Sequence, residues 1–258
     1  MKDDTENTIV VDAEIVDTNT DTITDNVPIQ QIDKQQIERD IELAELTRQE
    51  IALRIPWFFL TEYAYTVDEH DAIHPIKRFP DHPYLKTVTD MWAENKLLVI
   101  AKSRQLMITW LMAGLHLWLA LHTGKLIFFQ SKKEEDADAI LKRAKVIYAN
   151  LPRRLKWGTA HKDIIDMSQD PPIRDIYCHL EFPWLNSEIM AVPQGPAVLR
   201  SRTASAIFSD EMAFQEQAKE AFTASKPTID GGGKFTGVST PNGQEYFASI
   251  LFDIPNRN

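Results

Sequence analysis

The chain has one cysteine, nine glycines and no long apolar run, and each shortage excludes something. Cys178 alone cannot build an intramolecular disulfide framework or a metal site made of several cysteines. No apolar stretch reaches the roughly 18 to 20 residues that span a bilayer, so no membrane helix and no membrane partner are expected. The N-terminus has no basic segment leading into an apolar core, so no secretory signal is visible and a cytoplasmic location is expected. Glycine and serine never gather into a linker and no internal repeat recurs, so the packed part reads as one domain. With 258 residues, 43% of them hydrophobic, there is material for one large core plus extensions.

Basic charge is scarce at the start. Of the 38 acidic and 28 basic residues, residues 1–50 hold 14 and four, which leaves 24 of each for the remainder. The net charge of −10 therefore belongs to the N-terminal stretch, and the body is neutral. A sequence pI near 5.2 consequently says little about nucleic-acid partners, for which the local charge on the folded part is what counts. Within the body, Lys132, Lys133, Lys142, Arg143, Lys145, Arg153, Arg154 and Lys156 crowd one segment. Glu134, Glu135, Asp136 and Asp138 are interleaved, so a solvated helix face is the plain reading and a nucleic-acid footprint the sharp one.

Residues 1–32, poor in large apolar groups, read as a disordered acidic tail. Residues 33–54 repeat Ile37, Ile41, Leu43, Leu46 and Ile51 among polar residues and predict a helix. The domain proper runs over 55–258. Pro75, Pro80 and Pro83 predict an extended loop over Asp71–Tyr84, and a helix follows over Lys86–Asn95. Then comes an alternation. Strands are expected at Leu97–Ala101, Lys125–Gln130, Ser205–Ser209 and Phe235–Ser239. Helices are expected at Thr109–Leu121, Glu134–Asn150, Ala213–Ser225 and Glu245–Phe252. Ile176–Phe182 and Glu188–Val192 read as a strand pair, with Cys178 at a half-buried strand position. This rhythm predicts an α/β fold, a mostly parallel sheet with helices on both faces.

Ligands of such sheets bind beyond the carboxyl ends of the strands, and three segments fall there. Lys102-Ser103-Arg104-Gln105-Leu106-Met107-Ile108-Thr109 links the first strand to a helix whose N-terminal amides can hold an anion. Thr109 stands where a magnesium-coordinating hydroxyl belongs, but Met107-Ile108 replace the usual Gly-Lys and the loop has no glycine. Alone, it reads equally as an ordinary strand-to-helix connection. Asp210-Glu211 ends the apolar run Ala206-Ile207-Phe208-Ser209, where two carboxylates need a compensating cation. Asp210 would hold magnesium and Glu211 would activate water; the alternative is a simple helix cap. Ser239-Thr240-Pro241-Asn242-Gly243 follows the last strand.

In this order and spacing the segments resemble the ATPase domain of the large terminase subunit of tailed bacteriophages and prophages, over roughly residues 55–252. That resemblance implies a P-loop NTPase-type fold of the ASCE group, binding ATP and Mg2+, with Lys102 at the front of the loop as the phosphate-contacting lysine. It also implies that Asp210 and Glu211 form the second nucleotide motif, and that Ser239 and Thr240 sense the γ-phosphate. Arg104 is then the candidate arginine finger, with Arg200 or Arg202 of Leu199-Arg200-Ser201-Arg202 as alternatives. Phe79 or Tyr84 would stack on adenine or simply pack. The implied partners are double-stranded DNA, a portal protein, a small terminase subunit and further copies in a ring. The family normally continues into a nuclease domain after the last motif, for which the 258 residues given leave no room, so DNA cleavage is not expected of this chain. Two other functions stay open at this point: a helicase-like nucleic-acid-translocating ATPase, and a non-catalytic terminase-like module that binds terminase or portal partners.

Overall fold

The computed structural model describes residues 34–243 and 246–252. The expected tail over residues 1–32 lies outside the described residues, as does Glu245, the expected start of the last helix. The chain divides into two compact units between Arg48 and Gln49. In the first, the described residues lie on helix α1 (Lys34–Ala52), whose closing residues Gln49 and Ala52 are buried in the second. Along the exposed part, Ile41 and Leu43 are largely open to solvent. No helix among the described residues is long and apolar enough to cross a membrane.

The second unit opens with α2 (Pro56–Tyr63), a two-stranded hairpin of β1 (Tyr65–Val67) and β2 (Ile76–Arg78), and α3 (Pro83–Glu94). Two corrections to the sequence reading fall here. The proline-rich approach is not a loop throughout, because residues 76–78 form a strand paired antiparallel with 65–67. The following helix starts at Pro83 instead of Lys86: proline at the first helical position lacks only an N–H that would have no partner there.

The main sheet comprises β3 (Leu97–Ala101), β4 (Leu126–Ser131), β5 (Arg174–Ile176), β6 (His179–Phe182), β7 (Ser187–Pro193), β8 (Ala206–Asp210) and β9 (Lys234–Ser239). Their order is β3-β9-β8-β4-β7-β6-β5. The first five in that order run parallel, and β6 and β5 are added antiparallel at one edge. Connecting helices are α4 (Ile108–Ala120), α5 (Glu134–Ala149), α6 (Arg153–Lys156), α7 (Ala197–Ser201), α8 (Ala218–Asp230) and α9 (Tyr246–Phe252).

Strand side chains alternate between two cores. Ile127 and Phe129 of β4 join Phe208 and the helices α2 to α5 on one face, whereas Phe128 joins Ile207, Phe235, α8 and α9 on the other. That two-sided burial is why the strands read as continuous apolar runs. It also explains α4, apolar nearly all round: nine of its 13 residues are buried.

Two further corrections concern local structure. Cys178 is not on a strand; it sits in the turn between β5 and β6 with φ 58°, where its carbonyl still accepts from the Ala191 amide of β7 at 2.8 Å. The helix expected over Ala213–Ser225 is instead a short 3-10 turn (Met212–Phe214) followed by α8, which runs on through Pro227 to Asp230. Gln215 separates the two: its side-chain amide donates to Ser209 Oγ and to the Asp210 carbonyl, both at 2.9 Å, tying the turn to the end of β8.

Candidate functional site

The carboxyl ends of β3, β8 and β9 bring the three sequence segments together. Ala101 is in register with Ser239, and Asp210 with Val238, so the loops after them emerge side by side. The Lys102 amide extends this pairing by donating to the Ser239 carbonyl at 3.0 Å.

The loop after β3 manages without glycine by placing two ordinary residues in left-handed conformations. Gln105 has φ 61° and Met107 φ 57°, where the usual phosphate loop has its second glycine at the latter position. The turn thereby delivers α4 with its N-terminus toward the sheet edge. Glu211 is the third such residue, with φ 49°, so β8 ends in a kink that turns its carboxylate toward β3 and β9.

Lys102 Nζ lies 2.9 Å from Glu211 Oε1. The other oxygen, Oε2, accepts from Thr240 Oγ1 at 3.2 Å, Ser239 Oγ at 3.4 Å and the Thr240 amide at 3.5 Å. Burial works against the Glu211 charge, but the Lys102 ammonium and the Thr240 donors outweigh it and hold the carboxyl below the usual range. Asp210 is different. It is 7% exposed, and desolvation raises its pKa despite Lys102 nearby, with the Glu211 charge adding to the rise. Thr109 Oγ1 donates to Asp210 Oδ2 at 3.1 Å. A hydroxyl and a buried carboxylate, side by side, are hard oxygen donors, and this set fits a magnesium ion better than a soft metal.

A cleft of about 450 Å³ opens beside this group, lined by Arg104, Thr109, Lys132, Arg143, Asp210, Glu211 and Thr240 among others. A second, of about 610 Å³, lies on the other side of the loop against the β1–β2 hairpin; Lys102, Gln105 to Trp110, Lys77, Arg78 and Arg143 line it. Ser103 and Leu106 are exposed on the loop, and Ile108 is buried beneath it.

The remaining sequence candidates separate. Arg104 lines the smaller cleft. Arg202 does not: it pairs with Glu188 at the amino end of β7, whereas the site lies at the carboxyl ends of its strands, and Arg200 lies with it beside Thr223 and Pro227 of α8. Neither lines the cleft that holds Asp210 and Glu211. Phe79 is corrected from adenine-stacking candidate to core residue: it is 3% exposed, edge-on to Trp57 at 6.3 Å. Tyr84 sits on the outside of the loop, its hydroxyl donating to the Leu106 carbonyl at 3.2 Å and its ring stacked on His82 at 5.6 Å. The sequence left Lys132 and Arg143 between a solvated face and a nucleic-acid footprint; both line this cleft, Arg143 from α5, which packs against α4. Their neighbours do form ion pairs: Lys142–Asp138, Lys145–Asp175, Arg153–Asp170 and Lys156–Asp170.

Neither the family models nor the curated proteins contain a match to this chain. Among solved structures it is similar to the HK97 bacteriophage large terminase, with a TM-score of 0.54 and 16% identity, over 78% of this chain and 40% of that one. The two share an α/β fold with a mostly parallel central sheet. Two others fall lower: the Thermus phage P74-26 large terminase ATPase domain, with TM-score 0.48, 15% identity and coverage of 67% and 69%, and the large terminase of the thermophilic bacteriophage D6E in complex with ADP, with TM-score 0.47, 13% identity and coverage of 67% and 43%. The chain spans two fifths of the length of the HK97 protein, and at this identity the likeness establishes the mostly parallel sheet with helices on both faces.

Proposed function

We propose that this chain is a magnesium-dependent ATPase, the motor domain of a terminase-like machine that drives double-stranded DNA into a procapsid. The observation that carries the ATPase reading is the convergence of Lys102, Thr109, Asp210 and Glu211 from separate loops at one sheet edge, with the ammonium 2.9 Å and the hydroxyl 3.1 Å from their carboxylates. The terminase part rests on the order of the motifs together with the fold shared with the HK97 protein.

In this reading the phosphates lie over the loop and the N-terminus of α4, with Arg104 as the finger that stabilises charge on the transferred phosphoryl group. Thr109 and Asp210 would hold magnesium, which supplies charge neutralisation on the phosphate oxygens when bound. Lys102 exchanges Glu211 for those phosphates, and the freed Glu211 takes a proton from the attacking water. Water oxygen bonds to the γ-phosphorus while the bond to the β,γ-bridging oxygen breaks, leaving ADP and inorganic phosphate. Ser239 and Thr240, bonded to Glu211, are placed to register that exchange. Portal protein, small terminase subunit and a ring of copies are the partners this reading requires.

Magnesium-dependent hydrolysis, measured with and without duplex DNA, tests it. Glu211→Gln should lower kcat at least about 100-fold, the usual worth of a general base, and Lys102→Ala should weaken ATP binding as well. Hydrolysis by Glu211→Gln at the wild-type rate would sink the assignment.

A further inference from the structure

We infer that Arg143, seated on the Trp110 ring, is a nucleotide-binding residue at the joint between the two clefts, holding the phosphate nearest the nucleoside. The inference rests on the nucleotide reading above and extends it to a residue outside the three motif loops.

The two clefts share only Thr109 and Arg143 among their lining residues. A nucleoside triphosphate with its terminal phosphates beside Asp210 and Glu211 has to pass this joint to place its nucleoside in the larger, hairpin-side cleft. That cleft offers apolar walls from Val67, Pro80, Met107 and Trp110, along with polar groups from Asp68 and His70. It has the mixed character suited to a base and a sugar.

The other cations of the larger cleft are engaged. Lys77 pairs with Asp71 at 2.6 Å, Lys102 with Glu211 at 2.9 Å, and Arg78 donates to the Glu62 carbonyl at 2.5 Å while lying over the Tyr65 ring. Arg143 differs from its basic neighbours on α5 and α6. Among the described residues it has no carboxylate within ion-pair distance; it donates one bond to the Ala139 carbonyl at 2.9 Å and lies over Trp110 with 5.6 Å from guanidinium carbon to ring centre. A guanidinium lying over an indole face with one bond to a backbone carbonyl keeps most of its N–H fork free, and that fork matches two oxygens of a phosphate. Trp110 belongs to the first turn of α4, directly after Thr109, so the ring, the hydroxyl and the guanidinium are positioned by one helix end and its neighbour.

Calorimetric titration of the whole chain with magnesium and ADP, together with its tryptophan fluorescence, tests the inference. Arg143→Ala should weaken ADP binding about 10- to 100-fold, as expected for one charge-assisted contact, and Arg143→Lys should restore only part of it. ADP should change the fluorescence, and at saturating ADP that change should be missing from Trp110→Phe. ADP binding by Arg143→Ala within about twofold of wild type, while Lys102→Ala loses it, would overturn this inference and leave the nucleotide reading standing. A fluorescence change that survives in Trp110→Phe would overturn it too. No ADP binding by the folded wild-type chain would overturn both.

Discussion

At the scale of single residues, the site depends on side chains held in backbone conformations they rarely adopt. Gln105, Met107 and Glu211 all have φ between 49° and 61°. Glycine would adopt these conformations without cost, whereas another residue gives up about 1–3 kcal/mol, tolerated only where surrounding contacts fix the loop. Gln105 is exposed, so its backbone can be tested with little confusion from packing. Gln105→Gly should leave stability within about 1 kcal/mol of wild type, because relief of strain and loss of unfolded-state restriction offset one another. Gln105→Val, β-branched and poorly suited to a left-handed turn, should lower it by about 1–2 kcal/mol. Denaturant unfolding of the two variants decides; equal stabilities would mean that the loop does not hold this conformation in solution. The glycine-free loop is therefore no obstacle to the geometry, although it looked like one in the sequence.

At the scale of elements, the end of β8 is the part on which the carboxylates depend. The strand places Asp210 inward, and Gln215, from the turn that follows, clamps the strand's last carbonyl and the Ser209 hydroxyl. The Ser239 hydroxyl of β9 accepts from the Ala213 amide at 3.1 Å, so the same turn is bound from the neighbouring strand. Gln215→Leu keeps roughly the side-chain volume but leaves buried polar groups on β8 without their donor. A loss of about 1–3 kcal/mol in stability is expected from that change. If the clamp also positions Glu211, the variant should lose kcat with little change in nucleotide affinity; unchanged kcat would restrict Gln215 to a structural part. The helix expected from residue 213 failed for the same reason, since Gln215 turns inward to the strand instead of outward along a helix face.

At the scale of the whole molecule, the two faces of the sheet carry separate cores, and one of them encloses a histidine. His116 of α4 is fully buried against Trp92, Phe129 and Phe208, with Nδ1 2.8 Å from the Met112 carbonyl. Desolvation lowers its pKa from 6.5 to about 4. The folded chain therefore keeps it neutral down to about pH 4, while the unfolded chain protonates it below about pH 6.5. The unfolded state binds the extra proton across that window, so stability falls as the pH is lowered from about 6.5 to about 4, by roughly 3 kcal/mol from this group. Unfolding free energies across that range for the wild type and His116→Leu check it, with a flatter profile expected for the variant. Parallel profiles would mean that the site admits water.

The sequence by itself determined the alternation of strands and helices, because burial on both faces demands apolar runs and the helices between them carry a 3.6-residue period. It also marked the candidate loops, since Asp210-Glu211 after an apolar strand and Thr109 opening a helix are legible without neighbours. What only the tertiary structure decided is which of these groups meet. Strand order is not written in local pattern: β9, last in the chain, inserts between β3 and β8 and carries Ser239 and Thr240 to Glu211. The same long-range packing buries Phe79, turns Arg202 toward Glu188 at the amino end of β7, and lifts Arg143 out of a charged helix face onto Trp110. Local preferences extend over a few residues, and these contacts join positions from 14 to more than 100 residues apart.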